Sequence, residues 1–492
     1  MRMPLSPDPI LDAVESYSGT FVDLDNEAVV GRDEFQGVVQ DLETFVRKEG
    51  VVPGELVVMA VGNGPMFPAT LAAILRTGGS PVLVHADTPL AEVRRVSRRF
   101  GARFLFSDLL RESDLSMYGL RGHEISSASW ATGVCAELLV GESDPGTADA
   151  LRLEGVPLHP TSGTTGTPKL AIRPGAAAVA EARHYVDTIG IDGRDIILCT
   201  IPMSHAYGFG MCAMVPLLSG ANLVSMRRYN AKVTLRELRR QAVTVYPSAP
   251  FAIDLLLIEG GDALPPPPGC ITSAGAPLPE RTASASEMKW GATVRPLYGT
   301  TETGGISVAT VDHDSASVNS VGPPMEGVEL EVRAMAPMED DGGESGVGSL
   351  WIRSPSMMSG YLGAGGIDGP MLDEGWFETG DLGFIDEAGN IRLRGRAAEV
   401  INVFGLKVLP SEVEEVIALL PQVAEVRVYG RQNRWGSQSV RAAVVTEGQL
   451  DEARIRDHCR EHLVGYKRPD QIVLLDRMPR TPSGKVVLSE LP

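Results

Sequence analysis

Short apolar segments alternate with amphipathic segments through the first two thirds of the chain. The apolar segments have the length of strands, and the amphipathic ones have the spacing of helices. This order is typical of parallel sheets covered by helices. The sequence predicts strands at 56–61, 80–85, 104–107, 196–200, 222–226, 243–246 and 269–273, with helices at 67–76 and 90–100. We therefore expect an α/β fold in which two α/β subdomains are stacked before residue 310.

After residue 321 the pattern changes to short strands with period-two alternation, separated by Gly and Asp turns. We expect a small β subdomain with strands at 328–333, 348–352 and 390–393. A further segment follows, with helices at 411–420 and 451–462 and strands at 423–429 and 440–446. Residues 397–492 contain equal numbers of basic and acidic side chains, whereas the whole chain has a net charge of −19. This change predicts a large N-terminal domain at 1–396 and a small, mobile α+β C-terminal domain at 397–492.

Composition and charge exclude several classes of protein. With 43% hydrophobic and 22% charged residues, the chain is typical of globular proteins. Its acidic surface repels phosphate backbones, so no nucleic-acid partner is expected. The long uncharged stretches 56–75 and 196–226 contain Gly and Pro where they would break a membrane-spanning helix, so we expect no membrane span. The first 23 residues lack the apolar core of a signal peptide, which predicts a cytoplasmic protein.

Residues 161–169 read TSGTTGTPK and are the most informative segment of the chain. The glycines allow close approach of the main chain, the hydroxyls donate hydrogen bonds and the lysine supplies a cation. Such a loop can surround a polyphosphate, although it lacks the spacing of a Walker A loop. The alternative interpretation is a flexible surface loop. The residues that we expect to bind phosphate are Thr161, Ser162, Gly163, Thr164, Thr165, Gly166 and Lys169.

Together with four further motifs, this loop resembles the signature of the adenylate-forming superfamily of acyl-CoA synthetases, peptide-synthetase adenylation domains and luciferases. The further motifs are YGTTE at 298–302, GWFETGDLG at 375–383, GR at 395–396 followed by GLKV at 405–408, and PRTPSGK at 479–485. In type the chain is most similar to aryl- and acyl-CoA ligases. The resemblance implies an enzyme that attaches AMP to a carboxylic acid and releases pyrophosphate.

The resemblance also implies a role for each matched residue, with ATP and Mg²⁺ as cofactors. The phosphate loop would hold the leaving phosphates, Glu302 would bind Mg²⁺ and Thr301 would contact the α phosphate. Lys485 would reach both the attacking carboxylate and the α phosphate, which makes it the main catalytic residue. Asp381 and Arg396 would contact the ribose. The remaining nucleotide contacts would come from Gly275, Ala276, Pro277, Tyr298, Gly299 and Thr300.

The segment 202–208 resembles the part of the family in which a His borders the substrate carboxylate, and His205 takes that position. A buried His held by the main chain is the alternative interpretation. No Asp that could pair with an α-ammonium group lies between residues 196 and 226, and Ala206 replaces the Asn of 2-hydroxyaryl acid ligases. Aromatic and aliphatic acids both fit, and the aromatic side chains favour an aryl or arylacrylic acid. The expected pocket is mostly apolar and is formed by His205, Tyr207, Phe209, Ala249, Ala274, Gly304 and Gly305.

Two positions in the C-terminal part of the chain bear on the acceptor of the acyl group. Thiol-using members rotate the C-terminal domain about an Asp or Lys that is replaced here by Ala398. Gly405 matches the glycine that lets a pantetheine arm pass, so we expect transfer to CoA or to the phosphopantetheine of an acyl carrier protein. Transfer to a nitrogen or another small nucleophile is the alternative. An inactive nucleotide-binding homologue is a third hypothesis, but Glu302, Lys485 and the phosphate loop are all present.

Overall fold

The computed structural model describes residues 6–138, 153–161, 169–310, 320–334, 346–363, 366–369, 372–403, 406–432, 438–463, 465–480 and 486–492. By its internal contacts the chain divides into two compact units. The first comprises residues 1–318, 323–329 and 353–375, and the second comprises residues 319–322, 330–352 and 376–492. Strands that precede residue 396 thus share a unit with the C-terminal segment. The functional boundary at 396 stays a prediction.

Helices of the first unit cover the faces of its sheets. In the helix Arg32–Lys48 the buried residues Phe35, Val38 and Leu42 recur every three or four positions, as an amphipathic helix requires. By contrast, the helix Met66–Arg76 is buried along its whole length up to its last residue, because it lies in the interior of the unit. The helices are α1 (Asp8–Ser16), α2 (Arg32–Lys48), α3 (Met66–Arg76), α4 (Leu90–Phe100), α5 (Glu112–Met117), α6 (Gly175–Ile189), α7 (Ala206–Gly208), α8 (Val215–Ser219), α9 (Ala231–Arg240), α10 (Pro250–Gly260) and α11 (Glu280–Trp290), with a π-helical segment at Phe209–Met214.

Two large sheets form the first unit. Their strands in chain order are β1 (Phe21–Asp23), β2 (Ala28–Val30), β3 (Leu56–Ala60), β4 (Ser80–Leu83), β5 (Phe104–Ser107), β6 (Arg121–Ala128), β7 (Ala131–Glu137), β8 (Leu158–Thr161), β9 (Lys169–Ile172), β10 (Ile196–Cys199), β11 (Asn222–Ser225), β12 (Val245–Ser248), β13 (Cys270–Ser273), β14 (Val294–Thr300) and β15 (Gly304–Val308). The later segment 353–375 adds β18 (Gly360–Gly363) and β19 (Gly366–Asp368), while β16 (Glu329–Ala334) and β17 (Gly348–Arg353) come between these and β15 in the chain.

In the described residues, one sheet has nine strands in the order β19-β18-β9-β8-β4-β3-β5-β7-β6, and the other has eight in the order β15-β14-β13-β12-β10-β11-β1-β2. The central strands of both sheets are parallel. Because the strands are buried on both faces, they are made of continuous apolar residues rather than of alternating ones. Helix α6 follows β9 of the nine-stranded sheet in the chain and contacts β15 of the eight-stranded sheet.

The second unit contains β16 and β17 with β20 to β22, followed by a smaller fold of mixed type. Its helices α12 (Pro410–Ala418) and α13 (Glu452–His462) pack on a three-stranded sheet through Val413, Ile417 and Ile455. The short turn Ala397–Glu399 is a 3₁₀ helix. The strands are β20 (Leu372–Asp373), β21 (Trp376–Ile385), β22 (Ile391–Arg396), β23 (Ile401–Val403), β24 (Leu406–Val408), β25 (Val423–Gln432), β26 (Gln438–Thr446) and β27 (Gln471–Leu475).

The predicted α/β fold with a β-rich segment and a small α+β C-terminal part is confirmed. The strands predicted at 56–61, 80–85 and 104–107 are β3, β4 and β5, and the strand predicted at 243–246 begins two residues later, as β12. The stretch 56–75 is a strand followed by a helix, as expected. No helix within the described ranges is both long and apolar enough to cross a bilayer.

Candidate active site

The carboxyl ends of the parallel strands gather the residues predicted to contact the acid and the base. Ser248, the last residue of β12, is paired with Ser273, the last residue of β13. The residues that follow these strands, Ala249 and Ala274, therefore lie on neighbouring strand ends. The exposed segment Gly275, Ala276 and Pro277 continues from Ala274. Ligands of open α/β sheets bind at this edge, so the position suits the predicted roles.

The motif YGTTE ends β14 and forms the turn of a hairpin with β15. Gly299 pairs with Gly305 and Thr300 with Gly304, after a bulge at Tyr298. A side chain at Gly299 would place its Cβ 2.5 Å from the carbonyl oxygen of Gly304, so the close approach of the two strands requires glycine. Thr301, Glu302 and Thr303 occupy the turn itself. We call residues 301–305 the hairpin turn.

Glu302 is held from the following segment of the chain. The Tyr361 hydroxyl donates a hydrogen bond of 2.8 Å to Oε1 of Glu302, and the main-chain N–H of Met358 donates to the Glu302 carbonyl at 2.7 Å. Burial raises the pKa of Tyr361, and the Glu302 charge raises it further, so the phenol keeps its proton and acts as the donor. A carboxylate oxygen of fixed direction is a suitable ligand for Mg²⁺. The residues at this position therefore fit the predicted metal.

Thr161 and Lys169 are the two ends of the phosphate loop, and they face each other across β8 and β9. The Thr161 hydroxyl donates to the Lys169 carbonyl at 3.3 Å. The Lys169 ammonium lies 5.2 Å from the centre of the Tyr361 ring, within cation–π range. Tyr361 thus contacts both the end of the loop and Glu302. Ser162, Gly163, Thr164, Thr165 and Gly166 lie outside the described residues.

Aromatic side chains predicted for the acid pocket come from the segment after β10. The Tyr207 hydroxyl lies 2.8 Å from the Thr272 hydroxyl on β13, and burial raises the pKa of Tyr207, which keeps it protonated. Phe209 is fully buried and packs edge-on against the ring of His159, with 4.9 Å between ring centres. The sequence predicted Tyr207 and Phe209 here but not the polar contact with Thr272.

His205 is exposed at the start of α7, and its main-chain carbonyl accepts from Phe209 N–H at 2.7 Å. Its ring centre is 6.5 Å from that of His85. The neighbouring Ser204 lines a narrow cavity together with Asn63, His85 and Arg227. The predicted carboxylate-side histidine therefore stands beside a polar cavity between strand ends of the two sheets.

In the second unit, the two predicted ribose ligands are partners. Asp381 and Arg396 are paired in the register of β21 and β22, and Nε of Arg396 lies 3.0 Å from Oδ1 of Asp381. The side chain of Asp381 is only 10% exposed. The structure brings these two residues together, and their contact with the ribose stays a prediction. Gly405 and Lys485 lie outside the described residues.

Three residues near this site were not predicted: Tyr361, Arg173 and Glu181. Tyr361 follows a glycine in a short strand, a pattern too common to indicate a contact with Glu302. Arg173 follows the apolar strand β9 and Glu181 lies within the Ala-rich helix α6, and both are fully buried. Charges at positions that periodicity assigns to the core were the one available signal.

Comparison with known proteins identifies the family of the chain. A model of the AMP-binding enzyme family matches residues 39–362, and a model of the C-terminal domain of these enzymes matches residues 412–485. The chain belongs to the AMP-binding enzyme family. This result confirms the resemblance that the five motifs indicated, and with it the prediction of an enzyme.

Curated relatives of this AMP-binding enzyme are acid–CoA ligases. An indoleacetate–CoA ligase of Aromatoleum aromaticum is 27% identical over 92% of this chain and 91% of its own length. A 2-succinylbenzoate–CoA ligase of Bacillus cereus is 30% identical over 67% of this chain and 68% of its own length. A 4-coumarate–CoA ligase of Oryza sativa is 25% identical over 91% of this chain and 84% of its own length.

Solved structures show the same fold. ATP-bound MatB from Rhodopseudomonas palustris has a TM-score of 0.79 at 21% identity and covers 98% of this chain and 97% of its own. The amide bond synthetase McbA from Marinactinospora thermotolerans also has a TM-score of 0.79, at 24% identity, with 98% of both chains covered.

Proposed function

We propose that this AMP-binding enzyme uses ATP to convert a carboxylic acid into an acyl-adenylate, with release of pyrophosphate, and then transfers the acyl group to a thiol. The observation that carries the proposal is the contact of Tyr361 with both Lys169 and Glu302. It joins the end of the phosphate loop to the proposed metal ligand. Transfer from ATP needs both a cation that binds the phosphates and a carboxylate that holds Mg²⁺ against the same triphosphate.

Adenylation brings one anion towards another, so the residues of the site must supply positive charge and hydrogen-bond donors. The phosphate loop, ending at Lys169, would hold the leaving phosphates, and the Thr301 hydroxyl would contact the α phosphate. Lys485 would neutralise the carboxylate as it attacks. Asp381 would accept hydrogen bonds from the ribose hydroxyls, with Arg396 beside it. Magnesium bound at Glu302 would neutralise phosphate charge.

An aryl acid is the substrate class that we propose. Three of the relatives are named for indoleacetate, 2-succinylbenzoate and 4-coumarate, all of which are aromatic acids. Tyr207 offers a flat surface to such a ring, and the pair of hydroxyls at Tyr207 and Thr272 gives the pocket one polar contact, whereas Phe209 is fully buried against His159. Ala249 and Ala274 leave room at the strand ends.

CoA is the acceptor that we propose, because the curated relatives are CoA ligases. The phosphopantetheine of an acyl carrier protein would present the same thiol. Transfer to a nitrogen nucleophile is the second candidate, favoured by Ala398 at the usual hinge position and by the fold shared with an amide bond synthetase.

The test is a panel of carboxylic acids assayed for ATP-dependent pyrophosphate release, followed by mass analysis of products formed with CoA, a carrier protein and simple amines. An aryl acid should rank first, and its acyl-CoA should accumulate. Free α-amino acids should rank below their deaminated analogues, because their ammonium group would be buried without a partner. If amides form and no thioester is detected, the acceptor is a nitrogen nucleophile and not a thiol.

A further inference from the structure

A fully buried ion pair lies behind the hairpin turn. Nη2 of Arg173 is 2.7 Å from Oε2 of Glu181, and the two side chains are 0% and 1% exposed. Arg173 follows β9, four residues after Lys169, and Glu181 lies on α6. One member of the pair therefore lies directly after β9, the strand that follows the phosphate loop. The other lies on α6, which contacts β15.

The same side chains bond to the main chain of the hairpin turn. Nη1 of Arg173 donates to the carbonyl of Thr301 at 3.3 Å. Oε1 of Glu181 accepts from the main-chain N–H of Gly305 at 3.1 Å and from the Tyr185 hydroxyl at 3.2 Å. The turn that carries Glu302 is thus bonded at both of its ends to one buried cluster, which consists of Arg173, Glu181 and Tyr185.

Two glycines of the turn lie directly on this cluster. A Cβ at Gly304 would stand 2.8 Å from Cδ of Glu181 and 3.0 Å from Nη2 of Arg173, and Gly304 also has a φ of +71°. A Cβ at Gly305 would stand 2.4 Å from the Tyr185 hydroxyl. These distances exclude any side chain, so the cluster is in direct contact with the main chain of the turn.

The attraction between the two charges does not by itself explain why they are buried here. A buried ion pair loses its hydration, and replacing it with apolar residues of similar size is often neutral or stabilising. Nε of Arg173 also has no hydrogen-bond partner among the described residues, so the pair is incompletely satisfied. What the charges do provide is directional bonds to the Thr301 carbonyl and the Gly305 N–H.

The opposite side of the turn is held as well. The Ser356 hydroxyl donates to the Thr303 carbonyl at 2.7 Å, and Tyr361 donates to Glu302. With the buried cluster on one side and residues 356–361 on the other, the main chain of the turn has little freedom to move. Displacement of a catalytic group by about 1 Å can lower a rate by roughly 10²-fold.

We propose that Arg173, Glu181 and Tyr185 are positioning residues for adenylation, which fix the hairpin turn so that Thr301 and Glu302 face the nucleotide. This inference rests on the proposed function of the site. None of the three side chains touches the reacting atoms. Their loss should lower kcat for adenylation and raise the Mg²⁺ concentration needed for half-maximal rate, while acyl transfer from a supplied acyl-adenylate should be unaffected.

The experiment compares two variants of the full chain with a matched control. Tyr185→Phe removes one hydroxyl from the cluster, and the double variant Arg173→Met/Glu181→Leu replaces the ion pair with apolar side chains. Tyr17→Phe is the control, because Tyr17 is another fully buried tyrosine of the first unit and donates to Ala221 at 3.3 Å. We expect Tyr185→Phe and Tyr17→Phe to unfold near the wild-type Tm, whereas the double variant should unfold at a lower temperature, because it leaves the Thr301 carbonyl and the Gly305 N–H without their partners. The double variant should lose on the order of 10²-fold in adenylation kcat, and Tyr185→Phe should lose less.

Two measurements test the proposal: the kcat of adenylation and the Mg²⁺ dependence of ATP binding. Mg²⁺-dependent ATP binding, measured by calorimetry without any acid, should weaken in both cluster variants and not in Tyr17→Phe. If wild type releases no pyrophosphate with any acid, the proposed function fails, and this binding measurement still tests the positioning role. Cluster variants that match Tyr17→Phe in both kcat and Mg²⁺ dependence would overturn the inference. If the double variant does not fold, Tyr185→Phe decides alone.

Discussion

We expect different roles for the two lysines of the proposed phosphate-binding motifs, Lys169 and Lys485. Lys169 is the first residue of β9 and contacts the Tyr361 ring, so we expect it to have a structural as well as an electrostatic role. Lys485 is the residue that we propose to act on the carboxylate. Lys485→Ala should lower adenylation by roughly 10²-fold or more, because it removes charge that stabilises the transition state. Lys169→Ala should have a smaller effect.

Pyrophosphate release and acyl transfer, measured separately, check this prediction. Transfer from a supplied acyl-adenylate should survive in Lys485→Ala, since that step follows the one in which the lysine acts. Adenylation at the wild-type rate in this variant would remove Lys485 from the proposed mechanism. A loss of both steps together with a lower Tm would indicate a folding defect instead.

Tyr361 offers the sharpest single test of the proposed metal ligand. Tyr361→Phe keeps the ring beside Lys169 and removes only the hydrogen bond to Glu302. A hydrogen bond to a charged group contributes about 1.5–3 kcal/mol, so we expect a loss of roughly tenfold or more in adenylation, with a higher Mg²⁺ requirement. Tyr229→Phe, which removes a hydroxyl bonded to the Ala252 carbonyl, is the control. Equal Mg²⁺ titrations of the two variants would contradict the assignment.

Among the helices and strands, the sequence predicted those whose formation depends on residues that are neighbours in the chain. The strand–helix repeats were found because hydrophobic periodicity is a local property. The hairpin of β1 and β2 was not predicted, since Phe21–Asp23 completes the eight-stranded sheet by pairing with residues 223–225. Tyr361, Arg173 and Glu181 were missed for the same reason. Tyr361 bonds to Glu302, 59 residues earlier, and Arg173 and Glu181 bond to the hairpin turn, which lies 128 and 124 residues later, so no local pattern indicates these contacts.

The 3₁₀ turn Ala397–Glu399 is the element on which the second step should depend. If a thiol is the acceptor, the C-terminal domain must turn after adenylation, and fixing φ near this point restricts that motion. Ala398→Pro should therefore impair thioester formation far more than pyrophosphate release. Gly405→Leu should do the same, by filling the path of the pantetheine arm.

Accumulated acyl-adenylate, detected by mass analysis after a single turnover, is the expected sign in both variants. Adenylation rates of wild type and variants in the absence of acceptor give the internal control. Normal product formation with an amine by both variants, with no activity of wild type towards CoA or a carrier protein, would be evidence for the nitrogen acceptor. The enzyme would then complete its reaction in one domain arrangement.

At the scale of the whole molecule, a buried neutral histidine couples the fold to pH. His159 lies at the edge of the predicted acid pocket, 1% exposed, and neither ring nitrogen has a partner among the described residues. Burial lowers the pKa of His159 well below its ordinary value, and the nearby charges of Arg173 and His205 lower it further. Burial also lowers the pKa of His184.

Because its pKa is lower in the folded state, His159 binds more protons when the chain is unfolded. Its contribution to stability is therefore present above the ordinary histidine pKa of about 6.5 and is lost as the pH falls below that value. Acidification also reduces the repulsion within a chain of net charge −19, which acts in the opposite direction. The contribution of His159 is therefore measured by comparing how the Tm changes with pH in wild type and in a variant that lacks this histidine.

As the pH is lowered from 7.5 to 5.5, the Tm of His159→Phe should fall less, or rise more, than that of wild type, because the phenyl ring fills the site beside Phe209 without taking up a proton. His123→Gln is the control, since His123 is exposed and pairs with Glu49 on the surface. Thermal unfolding across this pH range measures all three proteins. Parallel Tm curves for wild type and His159→Phe would show that another group carries the acid sensitivity, with His184 the next to test.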